Sequence, residues 1–409
     1  MSNLGHYIVN NKIYLNKLEA ILAANSSRSE IKWHYHDDLL DRVKWQVEPD
    51  IGLSRLYELR AKQIRDKHDY VVLMLSGGAD STNMLRSFTD NNIKIDEVVA
   101  SAPLSGIKNL KINTEDRSPE NTVLETLLAQ MPLVRKLSRT NPEIKISIND
   151  YFNDILRLKS DSWIYESSSH WIHFSGTTRH SLDNLRHLRN LAEQGKKLAI
   201  VYGIDKPVIC RAKDGNLYNV IADSVVNIVT SHFTDIMSNV ESVLFYYTPD
   251  LPELMVKQCH EVCRWIYKPE NKPLKETLLW DRAKSEDFNK SGLRASRWQR
   301  AIIPCIYPTL EKFLTISWQA EKHDPGFRGG RQIDAWMYKL HGNSRVVEMV
   351  ESDLGLLSNS IDRRYFMNQN PSDGFMRFSK FWKIGHELDF LPNNLLSINN
   401  SQYSTEHIL

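Results

Sequence analysis

Between residues 70 and 202 the spacing of apolar positions alternates between two rhythms. The run 70–75, Tyr-Val-Val-Leu-Met-Leu, is continuous and suits one strand buried on both faces. Met84, Leu85 and Phe88 then recur at helical spacing. A second strand is expected over 95–100. A second helix follows, with Ser118 as N-cap, Pro119 in its first turn, and Val123, Leu124, Leu127, Leu128 and Met131 on one face. The alternating stretch 144–148 gives a third strand. Ser181 caps a third helix, with Leu182, Leu185, Leu188 and Leu191 facing inward and Gly195 as its stop. A fourth strand spans 198–202. Strands alternating with helices predict an α/β fold, a parallel doubly wound sheet with right-handed crossovers.

The flanks carry weaker patterns. Tyr7-Ile8-Val9 and Lys12-Ile13-Tyr14-Leu15 surround Asn10-Asn11, which predicts a small hairpin. A short helix is expected over 17–24. A stronger one over 53–67 aligns Leu53, Leu56, Leu59 and Ile64 and should pack on the sheet edge. Between them His34 and His36 stand at i and i+2 of an expected strand, on one face. With Asp37 and Asp38 they are a metal-site candidate, but no third ligand is fixed, and a polar strand end is the simpler reading.

Residues 208–221 predict a second hairpin around Asp214-Gly215. Asp250-Leu251-Pro252-Glu253 reads as a capping box. The helix it starts puts Leu251, Met255, Cys259, Val262, Cys263 and Ile266 on one stripe, so the two cysteines read as core. Beyond about residue 272 the pattern weakens. Trp280, Trp298, Trp318, Trp336 and Trp382 interleave with arginine-rich stretches at 293–300 and 323–331. A mainly helical region that buries its tryptophans is expected there, with the Arg328 loop kept as a candidate phosphate contact and the residues from Asn393 onward loose. The chain thus divides into an N-terminal extension (1–66), an α/β domain (67–270) and a C-terminal accessory region (271–409).

Composition narrows the class. At 409 residues with 41% hydrophobic and 25% charged residues, the chain has the make-up of an ordinary soluble protein. No apolar run approaches the ~18 residues of a membrane span, and the start lacks the apolar core of a signal peptide. A net charge of +2 gives no support for a large nucleic-acid footprint. Four cysteines in a chain this size do not form a disulfide framework. A cytoplasmic protein is the simplest expectation.

The chemistry concentrates after the first strand, at Ser76-Gly77-Gly78-Ala79-Asp80-Ser81. Strand, glycine turn and helix expose backbone N–H groups at a helix N-terminus, an anion site. Ser76 and Ser81 add hydroxyls, and Gly77 and Gly78 let a phosphate approach the backbone. A carboxylate at Asp80 repels phosphate unless Mg²⁺ lies between them.

This stretch resembles the SGGxDS signature of the N-type ATP pyrophosphatases, the PP-loop family, which has a Rossmann-like fold. That family includes asparagine synthetase, GMP and NAD synthetases, the 7-cyano-7-deazaguanine synthases and several tRNA-modifying enzymes. No Gly-Lys-Ser/Thr follows, so it is not a Walker A loop. More closely, the chain resembles a phage-encoded, asparagine synthetase-like group through Trp33-His34-Tyr35-His36-Asp37-Asp38, Arg60-Ala61-Lys62-Gln63-Ile64-Arg65 and Tyr247-Thr248-Pro249-Asp250-Leu251-Pro252-Glu253-Leu254.

The resemblance implies ATP and Mg²⁺ at Ser76 to Ser81, adenine against the backbone of Ala100 and Ser101, and a host-cytoplasmic location if the chain is phage-encoded. It points to Gly203-Ile204-Asp205-Lys206-Pro207 as a second cluster, with Gly203 near the pyrophosphate, Asp205 joining Asp80 as a metal ligand, and Lys206 offsetting charge on the leaving group. Arg179 is a candidate for a phosphate or substrate carboxylate, and the neighbouring His180 for a base. Ser2, not a cysteine, stands directly after Met1, and about 65 residues are too few for an N-terminal glutaminase domain, so any amine comes from elsewhere.

The expected activity is cleavage of ATP to AMP and pyrophosphate, activating a carboxylate or carbonyl oxygen of an unidentified small molecule or nucleobase. Base modification on tRNA or DNA stays open as an alternative, as does an ATP-binding regulatory protein without turnover. Whether the chain self-associates is likewise open.

Overall fold

The computed structural model describes residues 5–15, 17–102, 104, 126–150, 185–204, 206–212, 214–221, 223, 237–271, 280–281, 302–307, 310 and 379–392. Asn10 and Asn11 both take left-handed backbone (φ 47° and 62°), the geometry a two-residue hairpin demands. They join β1 (His6–Val9) to β2 (Lys12–Tyr14) in the expected hairpin. After α1 (Lys17–Ser27), β3 (Lys32–His34) adds antiparallel to the other side of β1. That strand stops at His34, because left-handed His36 (φ 51°) opens α2 (Asp37–Leu40). His34 and His36 therefore do not share a strand face; His34 Nδ1 instead lies 2.8 Å from Asp37 Oδ2.

The next helix, α3 (Leu53–Lys67), has the predicted bounds. Its buried stripe runs through Leu53, Leu56, Tyr57, Arg60, Ala61 and Ile64, leaving Leu59 half-buried to one side. The alternation of strand and helix then follows: β4 (Tyr70–Met74), α4 (Ala79–Thr89), β5 (Glu97–Ala102), a π-turn (Thr126–Gln130) leading into α5 (Met131–Thr140), β6 (Lys145–Asp150), α6 (Arg186–Glu193) and β7 (Leu198–Tyr202). Gly195, at φ 83°, stands just past α6 as its stop. The hairpin of β8 (Val208–Arg211) and β9 (Asn216–Val220) turns through Gly215 at φ 81°. A strand that the sequence reading did not identify, β10 (Val240–Leu244), precedes α7 (Pro252–Ile266).

β10, β7, β4, β5 and β6 form, in that order, one parallel five-stranded sheet. The chain moves outward from β4 to β6, then returns to lay β7 and β10 on the other side of β4. The topological switch therefore falls between β4 and β7, and in such sheets the ligand crevice lies beyond the carboxyl ends of the strands there. Val71, Val72 and Leu73 of β4 and Leu198 through Val201 of β7 are buried, as expected of a sheet covered on both faces. α3 packs on α4, on α7 and on the central strand β4, and its Arg60 reaches the edge strand β10 at the Leu244 carbonyl (2.9 Å).

Asp250 does not cap α7. Leu251 holds the N-cap position without a side-chain bond, while the Asp250 carboxylate receives Lys67 (3.0 Å) and Arg60 (3.4 Å). Cys259 and Cys263 are buried on the stripe as expected. The three segments that carry the resemblance to the phage-encoded group meet in space: Tyr35 donates to the Tyr247 carbonyl (2.6 Å), Gln63 to that of Asp250 (3.0 Å) and Arg60 to the Asp250 carboxylate (3.4 Å).

In the C-terminal part the described residues include strands as well as a helical turn. β11 (Trp280–Asp281) pairs parallel with β8, and α8 (Ile303–Ile306) rests on α7. β12 (Trp382–His386) pairs antiparallel with β9, completing a second sheet in the order β11-β8-β9-β12. Trp382 is buried as expected, stacked on Trp45 at 5.3 Å. The rest of the expected helical region lies outside the described residues, as do Ser118, Pro119, Ser181 and both arginine-rich stretches. Among the described residues, no helix is long and apolar enough to cross a membrane.

Candidate functional site

The turn between β4 and α4 lies at the carboxyl end of β4, on the switch point. Gly77 takes φ 81°, a conformation open to glycine at little cost. A Cβ there would also stand 2.7 Å from the Gln130 backbone nitrogen, so glycine is required twice over. Gly78 is the N-cap of α4, and the Gly78 amide donates to Ser76 Oγ (3.3 Å). Ser81 Oγ lies 3.1 Å from Ser76 Oγ and donates to the Gly78 carbonyl (3.2 Å). The two hydroxyls thus close the turn on itself. The first N–H groups of a helix have no acceptor within it, so those of α4 carry the partial positive charge of a helix start.

Across the crevice, the segment after β7 supplies Gly203 and Lys206. Gly203 lies against the first turn of α4: a Cβ there would stand 2.8 Å from the Asp80 carbonyl oxygen. That close approach brings Lys206 Nζ within 2.6 Å of Asp80 Oδ2. The Lys206 side chain is 6% exposed and that of Asp80 25%, so the lysine is buried and the carboxylate partly desolvated.

The other Asp80 oxygen is held from far along the chain. Tyr307, following α8, donates to Asp80 Oδ1 at 2.7 Å. Tyr246, just past β10, donates to the Asp80 carbonyl at 2.8 Å and receives Asn83 Nδ2 at 3.0 Å. Tyr247 donates to the Lys206 carbonyl. Tyr57, Tyr246 and Tyr307 are buried together, the last two with ring centres 5.4 Å apart. Burial pushes all three phenols well above their ordinary range, and the Asp80 charge pushes the same way. They therefore remain protonated donors at neutral pH.

Gln130 closes the opposite wall. Gln130 Nε2 donates to the carbonyls of Leu75 (2.7 Å) and Ser101 (3.2 Å), tying together the ends of β4 and β5. Among the described residues, Gln130 Oε1 is buried without a hydrogen-bond partner. Ser101, expected to meet adenine through its backbone, thus has its carbonyl already engaged, while Asn149 Nδ2 donates to its hydroxyl (3.3 Å). Ala100 is buried in register with Ile148 of β6.

Of the residues expected from sequence, Ser76, Gly77, Gly78, Asp80, Ser81, Gly203 and Lys206 converge on one point. Ala100 and Ser101 stand on the neighbouring strand. Arg179, His180 and Asp205 lie outside the described residues. Sequence reasoning missed Tyr246, Tyr247, Tyr307, Asn83 and Gln130. The run Val243-Leu244-Phe245-Tyr246-Tyr247 is a strand-type signal ending in tyrosines, and it could have flagged the first two.

Among the described residues, no group of three or more His, Cys, Asp or Glu could hold a metal. Mg²⁺ keeps few protein ligands and shares phosphate oxygens, so a lone carboxylate beside a phosphate-type turn matches its needs. Asp80 is that carboxylate, and an ion there would exchange with Lys206 on Oδ2. Comparisons of the chain with protein-family models, with curated proteins and with solved structures gave no match.

Proposed function

We propose that the chain is an ATP-dependent adenylating enzyme of the PP-loop type, cleaving ATP to AMP and pyrophosphate. The observation that carries this reading is the Lys206–Asp80 pair standing over the Gly77 turn at the switch point of a parallel sheet. A helix start, two hydroxyls and an adjacent lysine suit a polyphosphate. A carboxylate in the same turn suits a phosphate-bound divalent cation.

In this reading the α4 amides, Ser76 and Ser81 receive the phosphates. Lys206 passes from Asp80 to the departing pyrophosphate, where negative charge develops. Asp80 would hold Mg²⁺, with Asp205 as the second candidate ligand, and the bound ion would neutralise phosphate charge. A carboxylate or carbonyl oxygen of the substrate attacks the α-phosphorus as the bond to pyrophosphate breaks. An amine or related nucleophile then displaces AMP. The chain's contribution is mainly positioning and charge.

The test is incubation with Mg²⁺ and α-phosphate-labelled ATP, adding cell small molecules, tRNA or DNA in turn. AMP with one addition supports the reading and identifies the substrate pool; tRNA or DNA as that addition would select base modification. AMP formation that survives Asp80→Asn would sink the metal role. ADP would show that a different bond is cut.

One observation favours a second reading, an ATP-binding regulatory protein without turnover. Both Asp80 oxygens are already engaged within the chain. That reading predicts tight ATP binding, no AMP, and binding retained in Asp80→Asn.

A further inference from the structure

We infer that Tyr307 is a positioning residue for Asp80, through which the C-terminal part of the chain completes the nucleotide turn. The inference rests on the nucleotide reading above and adds to it a residue from the region read as accessory.

The geometry divides the labour around Asp80. Its peptide carbonyl is held by Tyr246, its Oδ1 by Tyr307 and its Oδ2 by Lys206. Two of these partners are neutral phenols buried in a packed cluster. The third is a lysine, itself buried but charged. Only the lysine carries a charge that a polyphosphate would attract. When Lys206 turns to phosphate, Tyr307 still fixes the plane of the carboxylate and leaves Oδ2 facing the crevice.

Tyr307 is itself held from three sides. The Tyr307 amide donates to the Ile303 carbonyl (2.8 Å). The preceding carbonyl, of Ile306, accepts from Tyr57 (2.5 Å), whose hydroxyl receives Gln258 Nε2 (3.1 Å). The ring lies against Tyr246 at 5.4 Å and Tyr57 at 6.2 Å. α3 and α7 therefore set the hydroxyl in place, which a carboxylate aimed at a metal requires.

The experiment is equilibrium ATP binding, with and without Mg²⁺, to the full-length wild type, Tyr307→Phe, Asp80→Asn and the double variant. Tyr307→Phe keeps the ring and removes only the hydroxyl. It should raise the Mg²⁺ concentration for half-maximal ATP binding about tenfold, the worth of one good hydrogen bond to a charged group. Metal-free ATP binding should stay at the wild-type level. In the Asp80→Asn background the substitution should cost nothing further. Tyr246→Phe is the control, because its hydroxyl serves the Asp80 peptide; it should weaken binding equally with and without metal.

An unchanged Mg²⁺ dependence in Tyr307→Phe, or an equal loss in both backgrounds, would overturn the inference alone. The same holds if Tyr307→Phe fails to fold and Tyr246→Phe shifts the Mg²⁺ dependence. A wild type that binds no ATP would overturn the nucleotide reading, and this inference with it.

Discussion

The Tyr307 hydroxyl donates to Asp80 Oδ1 at 2.7 Å although 227 positions separate the two residues. On the other carboxylate oxygen, Lys206 Nζ stands at 2.6 Å, 126 positions away. The tightest contacts of the turn are thus made by segments that no local pattern connects to it.

Lys206 is the group whose removal should separate chemistry from folding. Lys206→Met keeps the aliphatic stem and deletes the charge, leaving Asp80 with Tyr307. Removing one partner of a part-buried ion pair leaves the other charge uncompensated, so urea unfolding should shift by about 2–3 kcal/mol, the loss for a buried pair discounted for the partial exposure of Asp80. AMP formation should fall at least ~100-fold, the usual loss for a group that stabilises developing charge. Quench-flow or labelled-product assays alongside urea curves would check both halves. A loss of activity that merely tracks loss of folded protein would contradict the assignment.

Gly77 and Gly203 should be intolerant for different reasons. Gly77→Ala meets a left-handed backbone and a Cβ position 2.7 Å from Gln130. It should cost about 2–4 kcal/mol, strain plus overpacking. Gly203→Ala has no such φ, but its methyl would press on the Asp80 carbonyl at 2.8 Å. It should push the start of α4 away, costing about 1–3 kcal/mol and weakening ATP binding more than its stability loss explains. Thermal melts and ATP titrations on both variants distinguish the two effects.

The sheet was legible because buried parallel strands are continuous apolar runs, and β4 and β7 are such runs at 70–75 and 198–202. The Gly77 turn was legible because two glycines and an acidic-polar pair follow one of them. β10 was not, since Val240-Glu241-Ser242-Val243 breaks its run with two polar residues; Ser242 is buried regardless, and Glu241 lies 3.0 Å from His68. Tyr307 was illegible for another reason. Nothing near it in sequence distinguishes a core tyrosine from one that reaches a carboxylate. The capping box failed because Asp250 had stronger partners in Lys67 and Arg60 than the helix start it precedes.

Arg60 holds the sheet to α3. Its side chain is 3% exposed and donates to the carbonyls of Leu244 (2.9 Å) and Phe245 (3.3 Å) and to Gln63 (2.7 Å). A planar fork reaches these acceptors together, and an ammonium does not. Arg60→Lys should therefore lose about 2–3 kcal/mol, the cost of leaving a buried acceptor unmet. Arg60→Ala should lose about 3–5 kcal/mol, because the Leu244 and Phe245 carbonyls and Gln63 all lose their donor and the buried stem leaves a cavity. Urea midpoints rank the three proteins, and an Arg60→Lys curve superimposable on wild type would show that charge alone suffices.

Acid should unfold the protein in two limbs that meet around α7. Burial lowers the pKa of His260 below its ordinary 6.5, prevailing over the hydrogen bond to the Trp45 carbonyl, which works the other way. The unfolded chain therefore takes up that proton first, and stability falls as pH drops below about 6.5. Glu48 behaves as a depressed carboxylate. Burial opposes its charge, but hydrogen bonds from Arg264 and Lys257 prevail and hold it at about 2. Its contribution is full above an ordinary carboxylate pKa of about 4.5 and fades as pH falls toward 2. Glu48→Gln should cost about 1–2 kcal/mol at pH 7, discounted for partial exposure. It should flatten the limb below pH 4.5 while leaving the one near 6.5 in place. His260→Gln should do the reverse. Stability measured by urea unfolding from pH 7 to pH 3 reads both limbs, and a Glu48→Gln profile parallel to wild type below pH 4.5 would show that the Arg264 contact does not govern acid unfolding.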